Sequence, residues 1–150
     1  MKLNNLLPGV ILAEQIIHKD ERGSFCETWK KIDDDLFGWY RQLNTAVSVS
    51  NVFRGMHRSG QRKLVMPMCG NIIDYVLNPE TGEWCCVLLD NTKSLLIPAE
   101  YAHGYYAVND CVVQYMVDQP WNKNTEEQFK YYEYDISIPS DNPILSDKDK

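Results

Sequence analysis

Residues 63–77 read KLVMPMCGNIIDYVL, two short apolar runs joined by a turn. The runs Lys63–Met68 and Asn71–Leu77 contain the branched and aromatic side chains that β-strands favour. The Cys69-Gly70 step between them is a turn signal. This stretch therefore predicts two successive β-strands.

The same pattern of short runs and turns continues along the chain in both directions. The turn signals include Ser59-Gly60, Asp90-Asn91 and Asn109-Asp110. The further predicted strands are Val10–Ile17, Asn44–Phe53, Trp84–Leu89, Ser94–Ile97, Tyr105–Val108, Cys111–Val117 and Phe129–Ile138. Short strands with a turn roughly every ten residues are typical of an all-β sandwich or barrel. We predict a cupin-like jelly roll, a double-stranded β-sandwich with little helix.

The chain of 150 residues predicts one domain, residues 1–150, because no linker or repeat divides it. A helical turn or two is expected only at Lys30–Trp39, where the acidic residues 33–35 favour a helix start. Little helix is therefore expected outside this one short segment.

Charge and composition exclude several classes of function. The chain has 15 basic and 21 acidic residues, a formal charge of −6, and no basic stripe or polybasic patch, so we expect neither nucleic acid nor membrane partners. No apolar stretch is long enough to cross a bilayer, and no signal peptide follows Met1. The five cysteines include no C-x-x-C pair, which favours buried thiols in a reducing compartment. We expect a cytoplasmic protein.

Two of the three histidines lie beside glycines at predicted strand ends. His57 ends the run Arg54-Gly55-Met56-His57, and His103 precedes Gly104 in residues 97–104, IPAEYAHG. Histidine is the side chain most easily held neutral yet basic near pH 7. This placement indicates proton-transfer chemistry.

Seven motifs in order identify a family. They are residues 20–27 (DERGSFCE), Gln42-x-Asn44, 54–57 (RGMH), 61–65 (QRKLV), 70–74 (GNIID), 97–104 (IPAEYAHG) and 143–149 (PILSDKD). From about Pro8 to Asp149 the chain resembles the dTDP-4-dehydrorhamnose 3,5-epimerase family of nucleotide-sugar enzymes. The resemblance implies a cupin-fold homodimer that needs no metal or organic cofactor. It also implies an isomerase of deoxysugar biosynthesis that acts on a nucleoside-diphosphate 4-keto-6-deoxy sugar.

The family's chemistry gives roles to four catalytic candidates. A 4-ketone acidifies the sugar C3 and C5 protons, so epimerisation needs a base, an enolate stabiliser and an acid on the opposite face. By resemblance, His57 is the base and Asp149 is the carboxylate that orients it. Lys63 matches the cation near the keto oxygen. Tyr115 matches the acid, and the alternation along Cys111–Val117 points it inward.

The resemblance also implies a set of substrate-binding residues. Arg22 and Arg54 match arginines that hold the diphosphate and sugar, a role suited to guanidinium geometry. Phe25, Glu27, Gln42, Asn44 and His103 match other binding positions. Trp121 stands where the family carries tyrosines and can stack on a base. Asp74 resembles a buried carboxylate behind these groups.

Other activities stay open at this point. If the Tyr115 hydroxyl is displaced, the protein is a C3-only epimerase. If Tyr115 and Asp149 are both out of place, it is a non-catalytic cupin that binds sugar nucleotides. A metal-dependent cupin is a poorer match because no histidine lies two residues from His57, and a 3,4-ketoisomerase would carry two histidines close together on one strand.

Overall fold

A computed structural model of the chain describes residues 1–28 and 40–150. The helical turn predicted at 30–39 lies outside the described residues. The strands are β1 (Lys2–Leu7), β2 (Val10–Glu14), β3 (His18–Asp20), β4 (Gly23–Phe25), β5 (Gln42–Ser48), β6 (Phe53–Arg58), β7 (Lys63–Cys69), β8 (Ile72–Leu77), β9 (Trp84–Leu89), β10 (Lys93–Ile97), β11 (Ala102–Ala107), β12 (Cys111–Val117) and β13 (Glu127–Gln128). Two 3₁₀ turns, η1 (Lys123–Thr125) and η2 (Tyr131–Tyr134), complete the described elements. Within these residues no helix is long and apolar enough to span a membrane.

The strands form two antiparallel sheets and a hairpin. The six-stranded sheet has the order β1-β2-β10-β7-β12-β5, and the five-stranded sheet has the order β13-β6-β11-β8-β9. The strands β3 and β4 pair only with each other within the described residues. The main apolar core joins side chains of both sheets, such as Val65 and Val113 from one and Val76 and Tyr105 from the other. The predicted cupin-like β-sandwich is confirmed.

Alternation along β5 and β12 separates an inner face from an outer one. Tyr115 lies opposite Asn44, and Met116 lies opposite Leu43 in the β5–β12 register. Since directly opposed residues share a face, Tyr115 and Asn44 point into the sandwich, while Leu43 points away from it. The inward direction predicted for Tyr115 is confirmed by its place in the cavity wall.

The strand predicted at Asn44–Phe53 is wrong in extent. The chain leaves β5 after Ser48 and enters β6 at Phe53. Asn51 between them has φ 70°, a left-handed conformation that breaks a strand. The valines and Phe53 in residues 46–53 (AVSVSNVF) favour a continuous strand, whereas Asn51 is a residue type that adopts the left-handed conformation readily and so permits the turn.

The strand predicted at Phe129–Ile138 is also wrong, because residues 131–134 form η2. The aromatic side chains of η2 pack against the outer face of the five-stranded sheet, and the backbone of η2 does not pair as a strand. The rings of Tyr131 and Phe53 lie 5.1 Å apart, centroid to centroid. Burial of aromatic area here outweighs the strand preference of the local sequence.

The segment after η2 returns to β6 and brings the last motif to the sandwich. The backbone N–H of Phe53 donates to the Ile144 carbonyl at 3.0 Å, and the Ile144 N–H donates to the Asn51 carbonyl at 2.8 Å. This two-point attachment sets the path of residues 145–149. It places Asp149 beside the end of β6.

Candidate active site

A cavity of about 530 Å³ opens between the two sheets. One wall comes from β5, β7 and β12, and the facing wall comes from β6 and β11. The predicted residues that line it are Gln42, Asn44, Arg54, His57, Lys63, His103, Tyr115, Trp121 and Asp149. All four catalytic candidates and five of the eight binding candidates therefore share one cavity.

Glycines allow the two histidine-bearing strands to cross closely. Gly55 of β6 has φ +138°, and a Cβ there would meet Gly104 Cα at 2.5 Å. A Cβ on Gly104 would in turn meet the Arg54 carbonyl oxygen at 2.7 Å. Because only glycine fits at both positions, His57 and His103 can pair across β6 and β11.

His57 forms a short contact with a carboxylate. Its Nε2 lies 2.7 Å from Oδ1 of Asp149. The Ser146 hydroxyl donates to Oδ2 of Asp149 at 2.8 Å, and the Asp149 N–H donates to the Ser146 carbonyl at 3.0 Å. Although burial favours the neutral acid, the hydrogen bonds from His57 and Ser146 hold the pKa of Asp149 below its ordinary value. An ionised Asp149 fixes the tautomer of His57 and leaves Nδ1 free to accept a proton.

A second carboxylate–histidine pair lies behind the first. Asp74 of β8 is fully buried, and its Oδ2 lies 2.9 Å from Nε2 of His103. Its other oxygen has no hydrogen-bond partner within the described part of the chain. Burial raises the pKa of Asp74, while His103 and Lys63 oppose that rise. Asp74 therefore orients His103 rather than facing the cavity itself.

Lys63 is a buried cation at the floor of the cavity. It is 8% exposed, and its ammonium donates to the His57 carbonyl at 3.4 Å. Burial lowers the pKa of Lys63 to about 8, although the negative charges of Asp74 and Glu126 oppose the shift. An ammonium in such a site can stabilise negative charge that develops nearby.

Tyr115 lies on the wall opposite His57. Burial raises the pKa of its hydroxyl, and the Arg54 guanidinium partly opposes that rise. Tyr115 therefore remains a phenol that can donate a proton. The Arg54 Nε donates to the Ser48 hydroxyl at 2.9 Å, and Nη2 donates to the Val47 carbonyl at 3.1 Å, so the guanidinium is held at the cavity wall.

The three polar candidates at the cavity mouth are linked. The Gln42 amide donates to Oδ1 of Asn44 at 2.7 Å and accepts from the backbone N–H of Trp121 at 3.1 Å. The Trp121 side chain is half-exposed and lines the opening. This arrangement offers a stacking surface next to an amide pair, which suits a planar base.

Three predicted binding residues do not line this cavity. Arg22, Phe25 and Glu27 belong to or follow the β3–β4 hairpin. The Arg22 guanidinium pairs with Asp20 in the same hairpin, and Phe25 is exposed. Their assignment to the nucleotide stays a prediction.

Two residues near His57 were not predicted from the sequence. Oε1 of Glu126 lies 3.6 Å from Nδ1 of His57, and Ser146 supports Asp149. Ser146 lay within a recognised motif but had no role. The segment around Glu126 shows no alternation of apolar and polar residues. The one sequence feature that could have indicated Glu126 is an acidic residue shortly after the strand that contains Tyr115.

Within residues 1–28 and 40–150, no group of three or more histidine, cysteine or acidic side chains is arranged to hold a metal ion. The chemistry of the cavity rests on paired imidazoles and carboxylates together with Lys63 and Tyr115. Such a set can remove a proton on one side of a substrate and supply one from the other.

Comparison with known proteins agrees with this chemistry. A family model described as dTDP-4-dehydrorhamnose 3,5-epimerase matches residues 4–150. The epimerase of that name from Methanothermobacter thermautotrophicus is 34% identical over 153 residues, covering 93% of this chain and 78% of that protein. The Legionella pneumophila epimerase structure in complex with dTDP-4-keto-L-rhamnose is 26% identical with a TM-score of 0.89, covering 99% and 89% of the two chains. ChmJ, a 3′-monoepimerase from Streptomyces bikiniensis in complex with dTDP-quinovose, is 26% identical with a TM-score of 0.85, covering 94% and 81%.

Proposed function

The chain belongs to the dTDP-4-dehydrorhamnose 3,5-epimerase family, and on that premise we propose that it inverts a dTDP-linked 4-keto-6-deoxyhexose at C3 and C5. It is an isomerase of the dTDP-rhamnose pathway type. The observation that carries the proposal is the placement of base and acid. The His57–Asp149 pair lies on the wall formed by β6, and Tyr115 lies on the facing wall formed by β12.

The first step removes a proton from the carbon next to the ketone. Nδ1 of His57, the ring nitrogen not held by Asp149, takes the proton, and the C–H electron pair moves to the ketone oxygen as an enolate. Asp149 stabilises the resulting imidazolium. Lys63 supplies positive charge to the enolate, and His103, held by Asp74, lines the same part of the cavity.

The second step completes the inversion. The Tyr115 hydroxyl donates its proton to the same carbon from the opposite face, and the enolate electrons return to form the C–H bond. Burial supports this role because it keeps the hydroxyl protonated until a strong acceptor is present. The configuration at that carbon is thereby inverted.

The residues proposed to bind the nucleotide are assigned from their chemistry and from the ligands bound in related structures. The structures named above hold dTDP-linked sugars in a related fold. We infer that Arg54, a guanidinium in the cavity wall, binds a diphosphate oxygen, and that Trp121, Gln42 and Asn44 contact the base. The free cysteines of the described chain support a cytoplasmic location.

In this proposal the protein is a homodimer of single-domain chains. Among the described strands, β5 is an edge of the six-stranded sheet, and its outward side chains Leu43 and Val47 are 56% and 69% exposed. An edge strand has unpaired backbone groups that can pair with another strand. Exposed apolar side chains beside it favour a protein–protein contact. A second copy would cover it, and the β3–β4 hairpin of that copy could bring Arg22 and Phe25 to the nucleotide.

The proposed activity is tested by NMR of the product. The protein is incubated with dTDP-linked 4-keto-6-deoxyglucose, and ring-proton couplings report the configuration at C3 and C5. We expect inversion at both carbons and much slower conversion of the GDP-linked counterpart. Inversion at C3 alone would favour the second candidate, a 3-epimerase, which the fold shared with ChmJ makes a specific alternative. Absence of inversion would contradict both.

A further inference from the structure

Glu126 is a second carboxylate at the catalytic histidine. Its Oε1 lies 3.6 Å from Nδ1 of His57, on the side of the ring opposite Asp149. Its side chain is 15% exposed and lines the cavity. The Lys148 ammonium lies 3.3 Å from its Oε2, so the carboxylate is held between a surface cation and the base.

The distance between Oε1 of Glu126 and Nδ1 of His57 fits a hydrogen bond that forms only during the reaction. At 3.6 Å the pair is not a hydrogen bond. A neutral imidazole with Nδ1 unprotonated has no hydrogen to offer there, because its proton is on Nε2 facing Asp149. Once Nδ1 has taken a proton, Glu126 is the nearest carboxylate that can accept it.

Two inversions on one bound sugar require the base and the acid to be restored in between. After the first inversion His57 is an imidazolium and Tyr115 is a phenolate. Neither can act again until one proton has left the imidazolium and one has reached the phenolate. The proton cannot leave the imidazolium through Nε2, because Nε2 faces Asp149, which is buried.

We propose that Glu126 takes the proton from Nδ1 of His57 between the two inversions, and so restores the base while the sugar remains bound. This inference rests on the proposed function and adds a residue to it. Glu126 acts through His57 and is a positioning and proton-accepting residue, not a group that contacts the reacting carbon.

The proton balance closes without a further reagent. The Nδ1–H bond of the imidazolium breaks, its electron pair stays on nitrogen, and an O–H bond forms on Glu126. That O–H bond then breaks as the proton passes to water, and a proton from water reaches the Tyr115 phenolate. One proton has moved from base to acid, and Glu126 is again a carboxylate.

The surroundings of Glu126 support this path. Its negative charge contributes to the raised pKa of Tyr115, after the larger effect of burial, so it is electrostatically coupled to the acid as well as to the base. Its backbone is fixed close to β6, because Gln128 pairs with His57 in the sheet and the Thr125 hydroxyl donates to the Ser59 carbonyl at 3.4 Å. The carboxylate is therefore held near Nδ1 without direct bonding to it.

The test is the product distribution of Glu126→Gln. Its matched control is Glu127→Gln, the same change one position away, where the native carboxylate instead pairs with Arg58 at the surface. Rapid-quench NMR with dTDP-linked 4-keto-6-deoxyglucose gives the rate constants for the first and second inversions. In Glu126→Gln we expect the second to fall relative to the first by about 100-fold, the lower end of general acid–base effects. Singly inverted product then accumulates, whereas Glu127→Gln keeps the wild-type ratio.

Chemical rescue provides a second variant. In Glu126→Ala, added formate can occupy the vacated space and accept the proton, so the second inversion should recover while the first changes little. An unchanged ratio in Glu126→Gln, or no recovery with formate in an Ala variant that melts like the wild type, would overturn the role of Glu126. A wild-type protein that inverts neither carbon would instead overturn the proposed function, and this inference with it.

Discussion

Nε2 of His57 lies 2.7 Å from Oδ1 of Asp149, although 92 positions separate the two residues in the chain. The contact depends on the path of the C-terminal segment, which pairs with β6 through Ile144. A turn closed by Ser146 then directs the carboxylate to the ring. The proposed active site is therefore completed by a segment that belongs to neither sheet.

Asp149→Asn should destabilise the protein in a pH-dependent way. The pKa of Asp149 is lowered in the folded chain from its ordinary value of 3.8, so the unfolded chain binds more protons in acid. The stabilising contribution is therefore present above about pH 4 and is lost as the pH falls through the folded-state pKa. Urea unfolding should show a difference between wild type and variant that is largest near neutrality and shrinks toward pH 2. A difference that stays constant with pH would contradict the ionised dyad.

Lys63→Met should remove the alkaline limb of the rate profile. The pKa of Lys63 is about 8 because of its burial, and the enolate needs the ammonium form. We expect wild-type kcat/KM to decline as the pH rises through about 8. In the variant, kcat should fall by roughly 10²–10³-fold, as for loss of one oxyanion-stabilising donor, and the remaining activity should lack that limb. An identical limb in Lys63→Met would assign it to another group.

Tyr115→Phe should separate proton loss from inversion. His57 can still remove the proton, so deuterium from D₂O should enter the recovered substrate. Inverted product should fall by roughly 10²–10⁴-fold, since protonation from the opposite face has lost its donor. NMR of substrate and product in the same sample measures both. If inversion continues at the wild-type rate, Tyr115 only packs in the sandwich and another group is the acid.

Val47→Lys should weaken the proposed dimer. The side chain is 69% exposed on the outer face of β5, and a buried lysine at a subunit interface is costly. Light scattering across a dilution series should show a dimer for the wild type and monomer for the variant. Leu88→Lys, at a 51% exposed position on β9, is the control and should remain dimeric. A monomeric wild type would contradict the homodimer.

The sequence predicted best where a local pattern coincides with a strand of the sandwich. In Cys111–Val117 the side chains at positions 111, 113, 115 and 117 are apolar or aromatic, so the strand and the inward direction of Tyr115 could be predicted. The close crossing of β6 and β11 follows from Gly55 and Gly104, whose motifs also identified both cavity histidines. In these places the features that set the local structure are visible in short motifs of the sequence.

The rest depends on contacts between distant segments. Residues 129–138 have the composition of a strand, but packing of Tyr131 on Phe53 decides their conformation. Glu126 reaches His57 because β13 pairs with β6, and nothing in the residues around Glu126 indicates that pairing. The motif around Arg22 likewise does not indicate that its guanidinium pairs with Asp20 of the same hairpin, away from the cavity.

The central claim is that His57 removes a proton next to the ketone. It is tested most directly by following C3 and C5 of dTDP-linked 4-keto-6-deoxyglucose by NMR in D₂O, with wild type and His57→Asn. The wild type should introduce deuterium at both carbons with inversion, and His57→Asn should introduce it at neither while melting as a folded protein. Deuterium incorporation by His57→Asn at a rate close to the wild type would contradict the account, and His103 would then be the base to examine.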